Sequence, residues 1–334
     1  VTCSRVVHNA ESVAPLSLGG LMNQDFWKKL CGIVKEEYVK TEEPMKDHTT
    51  FRIGGPADYF VMPHTVDEVR QLVELCRDEN IPYYILGNGS NLLVGDGGFR
   101  GVVIQIFKNF NEIILEESDV VHAQAGALLS KVASFAKDHE LTGFEFAGGI
   151  PGTIGGAVMM NAGAYGGEMK DVLKGATVLD QEGNIFYLSN EELQLGYRKS
   201  IIGEKDYVVL EAWIALEKGE EKEISEKMED LKNRRVSKQP LDCPSAGSTF
   251  KRPEGHFAGK LIMDAGLRGF SVGGAQVSEK HCGFVINKGG ASAKDVLDLI
   301  AEVQRIVKEK FGVLLEPEVK RIGEFEKKKE TEAE

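Results

Sequence analysis

No stretch of the 334-residue chain reaches the roughly 18 apolar residues that a membrane-crossing helix needs, so no helical span is expected. The apolar stretch from Val13 to Met22 is too weak for a signal peptide, and Glu11 and Pro15 spoil it further. Residues 1–21 are therefore expected to be an extension outside the fold, with Met22 opening the folded part. An excess of positive charge is also missing. The formal net charge is -12, which argues against a nucleic-acid partner because phosphate-backbone binding needs a dominant Lys/Arg field. Cys3, Cys31, Cys76, Cys243 and Cys282 form no C-x-x-C pair and no regular framework, which leaves neither a zinc site nor a disulfide scaffold and fits a reducing compartment. The histidines show no metal spacing. No G-x-G-x-x-G follows a strand, no H-E-x-x-H occurs, and Gly255–Leu261 lacks one spacer residue and the hydroxyl of a phosphate-binding P-loop. These absences argue against a Rossmann dehydrogenase and a P-loop kinase.

What is present is ordinary globular material. Apolar residues make up 42% and charged residues 28%, so the chain should fold, and its length fits two or three packed units sharing a cleft. An amphipathic helix is expected from Gln24 to Tyr38, carrying Phe26, Leu30, Ile33 and Val34. A second starts at the capping-box pattern Thr65–Glu68, with Val66, Val69, Leu72, Val73 and Cys76 as its stripe. Strands are expected at Tyr83–Leu86, Val102–Ile106, 112–116, 119–124, Ala176–Leu179, Ile185–Leu188 and Val208–Leu216. A charged helix from about Lys222 to Val236 ends at the breaker Gln239–Pro244, where a last domain begins. That domain closes with a long helix opened by Ser292–Asp295 and a strand over Leu314–Ile322. The class is α+β, and the charged tail 324–334 should fray.

Two glycine-rich segments stand out. Gly87-Asn88-Gly89-Ser90-Asn91 follows a strand directly and could gather backbone N–H groups on an anion such as a pyrophosphate, although a tight turn would also explain it. Phe146–Gly167 is turn-rich, a shaped loop whose glycines would let backbone approach a flat ring or a phosphate; a linker plus a turn is the plain alternative. Two such loops without a Rossmann fingerprint point to a large non-Rossmann cofactor. Three further segments set polar side chains at element boundaries: Gly196–Ser200 with Arg198, Ala246–Lys251 with Ser248, and Leu315–Val319 with Glu318.

These segments, in this order and with Thr50–Ala57, resemble the UDP-N-acetylenolpyruvoylglucosamine reductase family over about residues 24–323. The resemblance implies a p-cresol-methylhydroxylase-type FAD-binding fold with a C-terminal α+β substrate-binding domain. The implied parts are FAD-binding subdomains at 22–80 and 81–237 and a substrate domain at 238–323. It implies bound FAD, with NADPH as reductant and UDP-N-acetylglucosamine enolpyruvate as substrate, and a cytoplasmic role in peptidoglycan synthesis, hence cell-wall biogenesis, cell shape and cell division. No membrane and no obligatory protein partner are implied. By residue, Gly87, Asn88, Gly89, Ser90 and Asn91 match the FAD pyrophosphate loop. Gly149, Ile150, Gly152, Thr153, Gly155, Gly156 and Arg235 match further cofactor contacts. Arg198 matches the active-site arginine, Ser248 the proton donor and Glu318 its acidic partner. Tyr197, Lys238, Lys251, Arg252, Arg268 and His281 match the substrate side. Two departures show. Arginine stands at 252 where many relatives carry asparagine, and no long insertion follows Leu216, so the chain resembles the shorter subclass without the tyrosine-bearing loop, His281 taking part of that role. Another FAD-dependent oxidoreductase of the same fold would share the glycine loops but not the Arg198, Ser248 and Glu318 set. A noncatalytic nucleotide-sugar binder would need no flavin.

Overall fold

The computed structural model describes residues 3–4 and 23–325, with no side chains described at 3–4, so the expected start at Met22 and most of the charged tail lie outside the described residues. Of the segment 1–21, Cys3–Ser4 is described, as a short strand antiparallel to Tyr83–Leu86. The chain divides into two compact units. The first comprises residues 1–42, 58–90 and 101–239, and the second 43–57, 91–100 and 240–334.

The first unit is built on two five-stranded sheets. One runs in the order Cys3–Ser4, Tyr83–Leu86, Phe99–Gln105, Pro56–Val61, Val39–Pro44. Its Tyr83–Leu86 strand pairs in parallel with Val102–Gln105. Parallel neighbours need a crossover connection, and here the connecting chain holds the Gly87–Asn91 loop. The other sheet is antiparallel throughout: Ile185–Ser189, Leu173–Leu179, Val208–Ala215, Val120–Gln124, Ile113–Glu116. Helix Val66–Asp78 buries Val69, Leu72, Val73 and Cys76, the expected stripe, while Val66 is only half-buried. Thr65 Oγ1 accepts the Glu68 N–H at 3.1 Å, but the Glu68 carboxylate reaches the His64 N–H at 2.6 Å, one residue further out than a standard capping box. The opening helix stops at Ile33, where Val34 turns extended and buries its side chain; Glu36–Tyr38 is a separate 3-10 turn.

The glycine-rich segment 146–167 is not loop throughout. Ile154–Met160 forms a helix against strand Val208–Ala215, and Ala157, Val158, Met159 and Met160 are all buried. Each helical glycine costs about 1 kcal/mol against alanine, and burial of this face offsets that cost. Gly155 is required by packing: a Cβ there would lie 2.9 Å from the Ala125 Cβ and 3.3 Å from the Ala125 carbonyl oxygen.

In the second unit an antiparallel sheet, Ser245–Ser248, Phe284–Asn287, Ala275–Val277, Ser271–Val272, packs against helix Ala293–Phe311. That helix opens with the expected capping box, Ser292 Oγ accepting from the Asp295 N–H and the Asp295 carboxylate from the Ser292 N–H. Val296, Leu299, Ile300, Val303 and Val307 form its buried stripe. The strand expected over Leu314–Ile322 is confined to Lys320–Ile322, which pairs in parallel with Leu92–Val94, plus one bridge between Pro317 and Phe250.

Candidate active site

In the first unit the two glycine loops meet. Asn88 Nδ2 donates to the Pro151 carbonyl at 3.0 Å, and a Cβ on Gly152 would come within 3.9 Å of Ser90 Oγ. Gly87 and Gly89 are buried, and Gly89 adopts φ +61°, a left-handed conformation that suits glycine. Among the described residues no acceptor takes the N–H groups of Gly87, Asn88 or Gly89. Buried backbone donors are almost always paired, so three neighbouring free ones make a ready anion cradle. Arg235, from helix Glu221–Lys238, lies over Gly149, whose added Cβ would stand 3.2 Å from Arg235 Cδ. Burial pushes the Arg235 guanidinium below the ordinary arginine range, countered by Tyr165. No carboxylate among the described residues pairs with it. A half-buried cation beside unsatisfied N–H groups suits a phosphate-bearing cofactor, so the residues present fit FAD.

A Cβ at 152 would meet only ordinary contacts, Leu129 Cδ1 at 3.6 Å and Ile150 Cγ2 at 3.9 Å, and Gly152 does not lie in the left-handed region, so a side chain there does not strain the backbone. Gly152→Val is therefore expected to fold normally and to lose bound flavin, with the flavin-to-protein absorbance ratio falling about tenfold at low added FAD, a penalty near 1.4 kcal/mol. A variant purified with full flavin would remove Gly152 from the cofactor site.

Arg198 also belongs to the first unit. It sits in a tight turn closed by hydrogen bonds between Gly196 and Lys199, with its guanidinium 5.1 Å from the centre of the Tyr197 ring. Lys238 is exposed in the last turn of its helix.

The second unit sets the segments that bear Ser248 and Glu318 side by side. The register shifts between Ser245 and Ser248 against Phe284–Ile286, a bulge in which Gly247 takes φ +77°. Bulges re-aim side chains, and Ser248 emerges exposed at the strand end. The next residues run antiparallel to Glu316–Glu318: the Glu318 N–H donates to the Thr249 carbonyl at 2.8 Å, and the Lys251 N–H to the Glu316 carbonyl at 2.8 Å. Pro317 faces Phe250 between these two bonds, a position that asks no N–H of it. Asn91 Nδ2 holds the Glu318 carbonyl at 3.3 Å, so Asn91 supports the Glu318 segment here. Glu318 is half-buried, whereas Glu316 is exposed and ion-paired with Lys251. Lys251 is thus already engaged. Arg268 is engaged too, donating to the Glu279 carbonyl and, at 3.1 Å, to Met263 Sδ. Arg252 stacks over Phe257 at 4.0 Å. His281 Nδ1 accepts the Gly283 N–H at 3.1 Å, which leaves the ring proton on Nε2, and burial lowers its pKa.

Residues 239–322 match the family model "UDP-N-acetylenolpyruvoylglucosamine reductase, C-terminal domain", and residues 57–189 match "FAD binding domain". A UDP-N-acetylenolpyruvoylglucosamine reductase of Clostridium perfringens (strain SM101) is 60% identical over 304 residues, which is 90% of this chain and 99% of the relative. The chain belongs to the UDP-N-acetylenolpyruvoylglucosamine reductase family. A second relative in that reductase family, from Clostridioides difficile, is 56% identical over 90% of this chain and 99% of its own length. The crystal structure of the family member from Thermus caldophilus superposes with a TM-score of 0.72 at 37% identity, covering 84% of this chain and 97% of that one. The fold class is the expected α+β, with an FAD-binding domain and the reductase family's own C-terminal domain. The FAD-binding match spans both glycine loops. Sequence reading missed Asn161, which is 1% exposed and ties three segments together; its place in the Asn161–Gly166 run, after a helix it helps to end, was the available signal.

Proposed function

We propose that this chain is an NADPH-dependent flavoenzyme that reduces the enolpyruvyl group of UDP-N-acetyl-3-O-(1-carboxyvinyl)-glucosamine to give UDP-N-acetylmuramate. The observation that carries this reading is Ser248, set outward on a glycine bulge and tied through the backbone of Thr249 to Glu318, in a chain whose relatives of that name match it nearly end to end. The N–H groups of Gly87, Asn88 and Gly89, with Ser90, Asn91 and Arg235, would hold the FAD phosphates. Gly149, Ile150, Gly152, Thr153, Gly155 and Gly156 would line the rest of the cofactor. The chemistry that FAD supplies when bound is a two-electron relay from NADPH to the enolpyruvyl double bond.

The protein's own work is electrostatic and protic. Adding hydride to the terminal methylene builds negative charge that spreads into the substrate carboxylate, and the forked donors of Arg198 meet that charge as it grows. Ser248 Oγ gives its proton to the other alkene carbon. A serine hydroxyl is a weak acid, so positioning supplies much of the effect, and Glu318 orients the hydroxyl or relays its proton. Tyr197, Lys238, Lys251, Arg252, Arg268 and His281 are assigned to the sugar nucleotide. For Lys251 this means exchanging its Glu316 partner for a phosphate. Residues 22–80 and 81–237 are the two FAD-binding subdomains in this reading, and 238–323 the substrate domain. A nucleotide sugar and NADPH as reactants support a cytoplasmic location, and the product would feed peptidoglycan synthesis and through it cell shape and division.

The test is anaerobic. Flavin on the NADPH-reduced holoenzyme should regain its oxidised absorbance on mixing with the enolpyruvyl substrate, with UDP-N-acetylmuramate formed in equal amount by mass spectrometry. Flavin that stays reduced under substrate but reoxidises promptly in oxygen would identify an oxidase of the same fold instead.

A further inference from the structure

The turn that bears Arg198 is held in a conformation its sequence does not favour. Gly196 and Lys199 exchange backbone hydrogen bonds of 3.0 and 3.2 Å, and between them Arg198 takes φ +56°. A residue with a Cβ in this left-handed region costs about 1–2 kcal/mol, and such strain persists only where the surroundings over-determine it. Two buried side chains do so here. Asn161, itself at φ +43°, donates from Nδ2 to the Gly196 carbonyl at 3.2 Å and to Glu168 Oε2 at 2.7 Å, while its Oδ1 accepts the Lys170 N–H at 2.9 Å. On the far side of the turn Ser200, 2% exposed, donates from Oγ to the Met159 carbonyl at 2.6 Å. Met159 and Asn161 both stand at the C-terminal end of helix Ile154–Met160. The turn is thus clamped before and after Arg198 to one helix end, the end of the helix into which the Gly148–Gly156 loop leads.

We infer that Asn161 and Ser200 are positioning residues that aim the Arg198 guanidinium, acting through the backbone of its turn and touching neither substrate nor cofactor. This rests on the reading of Arg198 as the group that meets the substrate carboxylate. A displacement of about 1 Å in a charge-stabilising group can cost on the order of 100-fold in rate, so a turn released at one end is enough to matter. The buried Asn161 amide does not itself add charge. Its contribution is the choice of one strained backbone state over relaxed ones.

The experiment is a double-mutant cycle read by single-turnover flavin reoxidation on NADPH-reduced holoenzyme at saturating enolpyruvyl substrate. Asn161→Gly keeps access to the left-handed conformation while deleting the amide, and Ser200→Ala deletes a single hydrogen bond. Each is expected to slow reoxidation about tenfold or more in the parent protein, and by less than about twofold in the Arg198→Ala background. Should Asn161→Gly fail to fold, Ser200→Ala alone completes the cycle. Losses that repeat undiminished on Arg198→Ala would show general support of the fold and overturn the positioning role alone. An Arg198→Ala protein that reoxidises at the parent rate would overturn the reading of Arg198 and the positioning role with it.

Discussion

Ser248→Ala should keep its flavin and still accept electrons from NADPH, while reoxidation by the enolpyruvyl substrate slows on the order of 1,000-fold, within the range of a lost acid-base group. The expectation follows from the step at which the proposed proton is needed. In the proposed mechanism the hydroxyl acts only as carbanion character develops on the alkene, so its loss would raise that barrier and leave the earlier half-reaction alone. The structure makes alanine a clean probe. Ser248 is exposed at the end of its strand, so truncating it leaves no buried cavity. The bulge that presents it depends on the backbone of Gly247, not on the serine side chain. Stopped-flow absorbance of the two half-reactions separates the outcomes, and an alanine variant that reoxidises within a few-fold of the parent would end the proton-donor assignment.

The second large effect separates two glutamates that flank one proline. Residues two apart on an extended strand face the same side, so Glu316 and Glu318 look interchangeable from spacing alone. Their surroundings differ. Glu316 is exposed and ion-paired with Lys251, whereas Glu318 is half-buried and its backbone is fixed at both polar atoms, by Thr249 and by Asn91. Glu318→Gln, nearly isosteric but unable to carry charge or relay a proton, is expected to slow substrate reduction by on the order of 100-fold or more. Glu316→Gln, which removes an exposed ion pair, should change it by less than about tenfold, roughly 1.4 kcal/mol. Single-turnover reoxidation at saturating substrate gives both rates. Equal losses would show that Glu318 has no special role.

Where the amino-acid pattern was enough, local rules and tertiary packing agreed. The stripe of helix Val66–Asp78 and the Ser292 capping box were legible because each is set within a few residues. The helix Ile154–Met160 was not. Its glycines argue for loop, and only burial against strand Val208–Ala215, some 50 residues on, overrides them. The Leu314–Ile322 run has strand composition, yet most of it lies outside regular pairing. Its partners are a distant Phe250 at one bridge and a strand from the first third of the chain. At the candidate site, the pattern singled out residues but not what each one is engaged with. That Lys251 pairs with Glu316, that Arg268 is spent on a carbonyl, and that Asn161 braces the Arg198 turn are facts of three-dimensional neighbourhood. Gly155 shows the same limit in reverse. It reads as a cofactor contact, but the close approach of Ala125 already demands glycine there.

The parallel pairing of Leu92–Val94 with Lys320–Ile322 bears on how the protein is made. About 230 residues separate the partners, so at a synthesis rate of 5–20 residues per second the first strand waits roughly 10–45 s for the second. Leu92, Leu93 and Val94 are fully buried in the finished protein. An apolar strand left without its partner is the kind of surface that recruits other chains. Chains that stop before Lys320 would lack the strand that pairs with Leu92–Val94.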